Sequence, residues 1–250
     1  MFKKAVRMDQ EVGYDRTVRM YDEGYPPTEL DRLMSKGNIH KGKFLNERFH
    51  YSHYLQLKVI YNLNVDKVLE IGPGESFVAD YLRSLGITYD TLDSAPETNP
   101  TILKDLRDWD PELSGTVGEY DMVAAFQILE HTPYCEFSAN INKLASATNK
   151  YLFVSLPYHC FGFRIKLFFS FGQMKRFVYN FSFHLPTLFK NRKYRKQYME
   201  EFPFAVHYWE IGRRPFYKSK IEKIFKSSGL KIISSFHSEN PYHYFYLLEK

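Results

Sequence analysis

The pattern that most constrains this chain is a short apolar run that stops at two glycines and is followed at once by a helical pattern. Residues 67–72 read KVLEIG, Gly74 follows two residues later, and residues 77–86 place apolar side chains at helical spacing up to a closing glycine. A buried strand, a tight turn and a helix in this order are the repeating unit of an α/β fold. The sequence therefore predicts a parallel sheet whose ligand crevice lies at this turn.

Further strands and helices follow at the spacing of an α/β protein. A helix is predicted before the first strand, over residues 44–61, and the last two strands are close enough in sequence to pair as an antiparallel hairpin. We therefore expect a doubly wound, mostly parallel, seven-stranded Rossmann-like sheet with a C-terminal antiparallel hairpin. The other predicted strands are 87–93, 101–106, 120–126, 151–157, 230–236 and 242–250, and the other predicted helices are 133–148 and 216–229.

The composition is that of a globular protein. The 250 residues are 44% hydrophobic and 25% charged, and the net charge of +5 does not demand a nucleic-acid partner. Cys135 and Cys160 have no metal-ligand spacing, so free thiols and no metal are expected. No apolar run approaches the ~18 residues of a membrane span and residues 1–10 lack the apolar stretch of a signal peptide, so the expected location is the cytoplasm.

The aromatic residues are concentrated in one stretch. Residues 160–199 contain nine Phe and nine Lys or Arg, but no Asp or Glu. Three interpretations stay open for this insertion: a hydrophobic cap over the substrate, an amphipathic surface peripheral to a membrane, and a homodimer contact. The membrane interpretation rests on Phe168 and Phe169, whose neighbouring cations suit anionic headgroups. The predicted segments are an N-terminal cap (1–43), the α/β core (44–159), the insertion (160–204) and the completion of the core (205–250).

The residues around the glycine turn narrow the choice of ligand. The dinucleotide fingerprint requires a third glycine where Phe77 stands, and no Gly-Lys-Ser/Thr follows for a triphosphate. Glu70 would repel a pyrophosphate but can pair with an ammonium group. Asp93 ends the second strand at the distance where an acid binds ribose hydroxyls, and Asp105 ends the third, where it could accept an adenine amino group. These features favour a ligand with a ribose but no phosphate.

With its acid-x-Gly-x-Gly turn, the chain resembles the class I S-adenosylmethionine-dependent methyltransferases over residues 44–157 and 205–250. Ser76 stands where that family often has a third glycine. The resemblance implies S-adenosylmethionine as the cofactor and a role for each matching residue. By these roles Gly72 and Gly74 lie beside the methionine part, Asp93 binds the ribose, Asp105 and Leu106 meet the adenine, and Glu70 supports the turn or the ammonium group.

Two further segments are similar to motifs of this family. In residues 120–134 the fourth strand ends at Gln127, which would face the cofactor, and Leu-Glu-His follows at 129–131. Residues 207–210, His-Tyr-Trp-Glu, resemble a segment found before the last helix. We expect His131 to act as the general base and Glu210 to contact the substrate. The structural alternative for His131 is a helix cap, and Trp209 is expected in the core.

The expected function is methyl transfer to a small-molecule, sugar or lipid-linked acceptor, at oxygen in preference to nitrogen or carbon. One competing hypothesis is a non-catalytic protein of the same fold that binds a partner through residues 160–204. Another is an RNA methyltransferase, since a basic, aromatic run can stack on single strands, although no recognisable RNA-binding module is present.

Overall fold

The computed structural model describes residues 47–74, 77–171, 175–188 and 207–250. The predicted N-terminal cap, Ser76 and the later part of the insertion lie outside the described residues. The boundaries of the four predicted segments stay predictions.

Seven strands form one sheet with the spatial order β3-β2-β1-β4-β5-β9-β8. Strands β1 to β5 pair in parallel, whereas β9 runs antiparallel to both β5 and β8. The predicted doubly wound sheet with its antiparallel C-terminal pair is therefore confirmed. The strands of this sheet are β1 Lys67–Ile71, β2 Thr88–Asp93, β3 Ile102–Leu103, β4 Tyr120–Phe126, β5 Thr148–Pro157, β8 Lys231–His237 and β9 His243–Glu249.

In the described part of the chain, four α-helices cover the two faces of the sheet, and a buried core lies on each face. Successive β1 residues alternate between the two cores: Val68 packs with α1 and α2, and Leu69 packs with α3 and α4. Strands buried on both faces explain why the sequence shows continuous apolar runs at these positions. The helices are α1 Glu47–Asn62, α2 Phe77–Ser84, α3 Phe137–Ala147 and α4 Lys218–Ser227.

Strand β3, helix α3 and strand β5 differ clearly from the sequence prediction at their ends, and other elements differ by fewer residues. Strand β3 has only two of its six predicted residues, because the chain turns at Asp105, whose carbonyl accepts hydrogen bonds from the amides of Asp108 and Trp109. Helix α3 begins four residues later than predicted, after Pro133 and a 3₁₀ turn over Tyr134–Glu136. Strand β5 begins at Thr148, three residues early.

The described part of the insertion is a separate two-stranded antiparallel sheet, formed by β6 (Cys160–Phe171) and β7 (Lys175–Pro186). Its alternate residues are exposed apolar side chains that face one another across the strands: Phe161 opposite Leu185, Phe163 opposite Phe183, Ile165 opposite Phe181 and Leu167 opposite Tyr179. Because side chains alternate between the faces of a strand, these eight residues share one face, which we call the apolar hairpin face.

The opposite face of the hairpin carries Arg164 and Lys166, as well as Phe168 and Val178. Arg164 forms an ion pair with Glu239 at 2.7 Å, and Lys166 lies 3.7 Å from the same carboxylate. The hairpin is thus tied to the loop between β8 and β9 by this face. No helix in the described part of the chain is long and apolar enough to cross a bilayer.

Candidate cofactor and acceptor site

The carboxyl ends of β1, β2 and β4 meet at one edge of the sheet, because these strands are adjacent and parallel. The glycine turn lies there, and its backbone is closely packed. Gly72 has φ of +65°, and a Cβ atom on it would lie 2.8 Å from Ile128 Cδ1. Gly74 has φ of +60° but nothing within 4 Å of its added Cβ. Position 72 therefore requires glycine for both conformation and space, and position 74 for conformation only.

Glu70 is a buried carboxylate at the end of β1, just before this turn. The hydroxyl of Tyr89 donates a hydrogen bond to Glu70 Oε2 at 3.0 Å. Burial raises the pKa of Glu70 to about 7, although this hydrogen bond and the charge of Arg83 oppose the shift. A cation at the turn would favour the ionised form of this buried carboxylate, and the role of Glu70 beside an ammonium group stays a prediction.

Asp93 and Asp105 follow the neighbouring strands β2 and β3. Asp93 Oδ1 accepts a hydrogen bond from the amide of Ala95 at 2.9 Å, and burial raises its pKa, with a smaller contribution from the negative charge of Asp105. The two acids are therefore close enough to interact. Asp105 Oδ1 accepts hydrogen bonds from the amide and the Nε of Arg107, at 2.8 and 3.2 Å, and Leu106 lies in the core. Their predicted contacts with ribose and adenine stay predictions.

Gln127 lies at the end of β4, in the left-handed region with φ of +54°. Its amide donates to the carbonyl of Ser155 at 3.0 Å, and its Nε2 donates to Ser155 Oγ at 3.2 Å. These bonds hold Gln127 against β5. The unusual turn directs the chain from β4 past Ile128, over Gly72, into the 3₁₀ turn Leu129–His131.

That 3₁₀ turn brings Glu130 and His131 beside His207, and we call these three residues the acceptor cluster. The imidazole rings of His131 and His207 lie edge to face with centroids 5.0 Å apart, and His207 Nε2 lies 3.9 Å from Glu130 Oε1. Glu130 is fully buried, and burial raises its pKa to about 7 against the opposing charge of His207. The backbone amide of Tyr208 donates to the carbonyl of Glu130 at 2.8 Å, which joins the two segments.

Glu210 lies behind this cluster and has no exposed surface. Its Oε1 accepts hydrogen bonds from His207 Nδ1 at 3.2 Å and from the Tyr242 hydroxyl at 2.5 Å, and its Oε2 accepts one from Arg213 Nε at 2.5 Å. Burial alone would raise the pKa of Glu210, but its three donors lower it to about 2. The predicted substrate contact of Glu210 stays untested, and these bonds give it the role of orienting His207.

Burial lowers the pKa of His207, but its hydrogen bond to Glu210 and the nearby Glu130 carboxylate outweigh burial and raise it. His207, Tyr242 and Arg213 were not predicted as site residues from the sequence. The spacing of three residues between His207 and Glu210 was the one sequence feature that could have indicated an interaction between these two side chains. Trp209 is fully buried as expected, and its indole N–H donates to the carbonyl of Thr132 at 3.1 Å.

The sequence matches no protein-family model and no curated protein sequence. The fold, in contrast, is similar to many solved structures. The N-methyltransferase NodS from Bradyrhizobium japonicum, in complex with S-adenosyl-L-homocysteine, has a TM-score of 0.56 and 10% identity, covering 90% of this chain and 99% of that one. A S-adenosylmethionine-dependent methyltransferase from Mesorhizobium loti has a TM-score of 0.52 and 9% identity, covering 80% and 98%.

A SAM-dependent methyltransferase from Archaeoglobus fulgidus has a TM-score of 0.51 and 13% identity, covering 85% of this chain and 98% of that one. At such identities the likeness concerns the course of the backbone. This likeness of the backbone extends to a chain whose sheet has the antiparallel strand β9 between β5 and β8. The chain has the fold of the class I S-adenosylmethionine-dependent methyltransferases.

Proposed function

We propose that the protein transfers a methyl group from S-adenosylmethionine to an oxygen atom of a small-molecule, sugar or lipid-linked acceptor. The observation that carries this proposal is the glycine turn, bordered by the buried Glu70 and by Asp93 at the next strand end. Ile128 packs over Gly72, but a Cβ at position 74 would meet nothing within 4 Å, so the backbone at Gly74 is open to a close ligand.

The residues at the turn fit the cofactor by their chemistry. Glu70, buried with one hydrogen-bond donor, suits the ammonium group, and Asp93 suits the two hydroxyls of a ribose. Asp105 and Leu106 would meet the adenine, and Gln127 would border the methionine part. When bound, S-adenosylmethionine supplies a methyl group made electrophilic by the positive sulfur.

Ile128, which packs over Gly72, directly precedes the 3₁₀ turn that carries Glu130 and His131 of the acceptor cluster. A hydroxyl that attacks a methyl group must lose its proton, and an imidazole is suited to accept it near neutral pH. His131 is the residue we assign to this step, with Glu130 and His207 holding the charge that develops beside it.

The apolar hairpin face favours an acceptor carried in a lipid surface. Phe161 is 69% exposed and Phe163 is 49% exposed, and every residue of this face is apolar or tyrosine. The stretch 160–199 carries nine basic and no acidic residues, so the hairpin suits anionic headgroups better than a second basic copy of itself. We assign the face to the surface of an anionic membrane.

Calorimetric titration with S-adenosylmethionine tests the first step. The full chain is expected to bind, and Asp93→Asn to weaken binding at least tenfold, because two ribose hydrogen bonds to a charged acceptor are lost. Asp108→Asn is the matched control, since this exposed aspartate follows β3 but faces solvent. Unchanged affinity in Asp93→Asn, or no binding by the wild type, would contradict the cofactor assignment.

Product analysis separates an enzyme from a binding protein. A cell extract incubated with the protein and a methyl-labelled donor should yield a labelled product and S-adenosylhomocysteine, detected by mass spectrometry. His131→Ala should lower the rate at least a hundredfold if it takes the hydroxyl proton. If the protein binds S-adenosylmethionine but forms no S-adenosylhomocysteine with any acceptor pool, the methyltransferase proposal is contradicted and the non-catalytic hypothesis is supported.

Flotation with vesicles tests the hairpin. The wild type should float with vesicles that contain phosphatidylglycerol and stay behind with pure phosphatidylcholine, and the double variant Phe161→Ser/Phe163→Ser should stop floating. Leu113→Ser removes an apolar side chain of 87% exposure elsewhere and should float as the wild type does. A hairpin variant that still floats, or a wild type that never does, would remove the membrane assignment, and a sedimentation shift to dimer would reassign the face to a second copy.

A further inference from the structure

The acceptor cluster has the composition of a metal site. One ligand atom each from Glu130, His131 and His207 lie within 4.8 Å of one another. Two imidazoles with one carboxylate form a common ligand set for divalent transition metals, and this set leaves coordination positions open for a substrate. The three residues come from two segments that are far apart in the sequence, so no local spacing predicts the cluster.

An independent observation points to a cation at this place. Glu130 is fully buried, yet neither of its carboxylate oxygens has a hydrogen-bond partner on another described residue. Among the described residues, His207 Nε2 lies 3.9 Å from Glu130 Oε1, which is beyond hydrogen-bond reach. A buried carboxylate without a hydrogen-bond donor is strongly unfavourable, and such groups in folded proteins commonly bind an ion.

The groups behind His207 orient it as a ligand. Its Nδ1 donates to Glu210 Oε1 at 3.2 Å, so the lone pair of Nε2 is directed toward Glu130 and His131. Histidines that bind metals typically donate their second ring nitrogen to a carboxylate in this way. Glu210 is itself held by Arg213 and Tyr242, which fixes the imidazole plane.

We infer that Glu130, His131 and His207 form a binding site for a divalent transition-metal ion such as Zn²⁺, Mn²⁺ or Fe²⁺. Ligands at about 2.1 Å from a metal in tetrahedral geometry lie about 3.4 Å apart, so side-chain rotations that close the cluster by roughly 1 Å complete the site. On the proposed function, on which this role rests, the ion binds the acceptor hydroxyl and lowers its pKa. With the ion bound, the hydroxyl proton passes to solvent and His131 is a ligand, whereas the base role of His131 proposed above applies to the protein without the ion.

Titration with Co²⁺ tests the site without any methyl donor or acceptor. The full-length protein, freed of metal by a chelator, should show visible d–d absorption that saturates at one ion per chain and that Zn²⁺ displaces. Glu130→Gln and His207→Gln should each weaken Co²⁺ binding at least a hundredfold. The positioning variant Glu210→Gln should weaken it about 10- to 100-fold. His237→Gln, which alters a histidine outside the cluster, should bind as the wild type does.

Two results would overturn the inference: no saturable d–d signal in the wild type, or the same Co²⁺ affinity in wild type and Glu130→Gln. If Glu130→Gln does not fold, as judged by circular dichroism, His131→Gln replaces it, since His131 is only partly buried. Donor binding at Asp93 is measured separately. A protein that binds the methyl donor but no Co²⁺ thus refutes the metal site alone, and one that binds Co²⁺ but no donor refutes the proposed function alone.

Discussion

Substituting the two glycines of the turn by alanine should have unequal effects, because only one of them lies under another side chain. Alanine at a left-handed φ costs about 1–2 kcal/mol at either position. At position 72 the new Cβ lies 2.8 Å from both Cδ1 and Cγ1 of Ile128, which adds about 1–3 kcal/mol of overpacking, whereas at position 74 it meets nothing within 4 Å. For a chain of 250 residues, in which 1 kcal/mol shifts Tm by about 2 °C, Gly72→Ala should lower Tm by about 4–10 °C and Gly74→Ala by about 2–4 °C.

Thermal unfolding of the two variants, with and without S-adenosylhomocysteine, measures this difference. The double variant Gly72→Ala/Ile128→Ala should recover part of the loss, with a coupling free energy of about 1–3 kcal/mol between the two positions. Equal stability of Gly72→Ala and Gly74→Ala, or no coupling to Ile128, would refute the packing of Ile128 over the turn. The placement of the acceptor cluster beside the turn would fall with it.

Three further predictions concern ionisation and burial. Because the pKa of Glu70 is raised from 4.5 to about 7, the contribution of Glu70 to protein stability is complete below pH 4.5 and is lost as the pH rises through 7. In urea unfolding, Glu70→Gln should therefore be more stable than the wild type by about 3 kcal/mol at pH 8 and equally stable at pH 4.5. An equal difference at both pH values would contradict this prediction. Glu210→Gln removes the carboxylate charge that pairs with buried Arg213 and should lower the free energy of unfolding by about 3–5 kcal/mol. A loss below about 1 kcal/mol would contradict the burial of this pair. With a thiol reagent at pH 8, exposed Cys135 should react well before Cys160, whose pKa is raised by burial, and simultaneous reaction would contradict the burial.

The sheet was predictable from the sequence because its strands are short apolar runs that end in chemically distinctive residues. Strand β4 was predicted at its exact bounds, since Tyr120–Phe126 is apolar apart from one aspartate at its start. The end of β3 was not predicted, because the turn there depends on hydrogen bonds to the backbone carbonyl of Asp105, and no residue pattern indicates these bonds. The hairpin carried a readable signal: apolar side chains alternate from Phe161 to Phe169, which is the period of a strand.

The residues of the candidate site were likewise predictable only in part. Glu70, Gly72 and Asp93 lie at strand ends, and parallel strands bring such ends together in any fold of this type. His207 reaches Glu130 only because the segment after the insertion packs against the end of β4, through the bond from the amide of Tyr208 to the carbonyl of Glu130. A contact between segments so distant in sequence depends on tertiary packing and cannot be read from local spacing.

A crystal structure of this chain grown with S-adenosylhomocysteine would decide whether the glycine turn is the cofactor site. We expect the ribose hydroxyls within hydrogen-bond distance of the Asp93 carboxylate and the amino-acid part across the backbone at Gly72. Density for the adenosyl group away from the ends of β1 and β2, or a turn left empty at saturating ligand, would contradict this expectation.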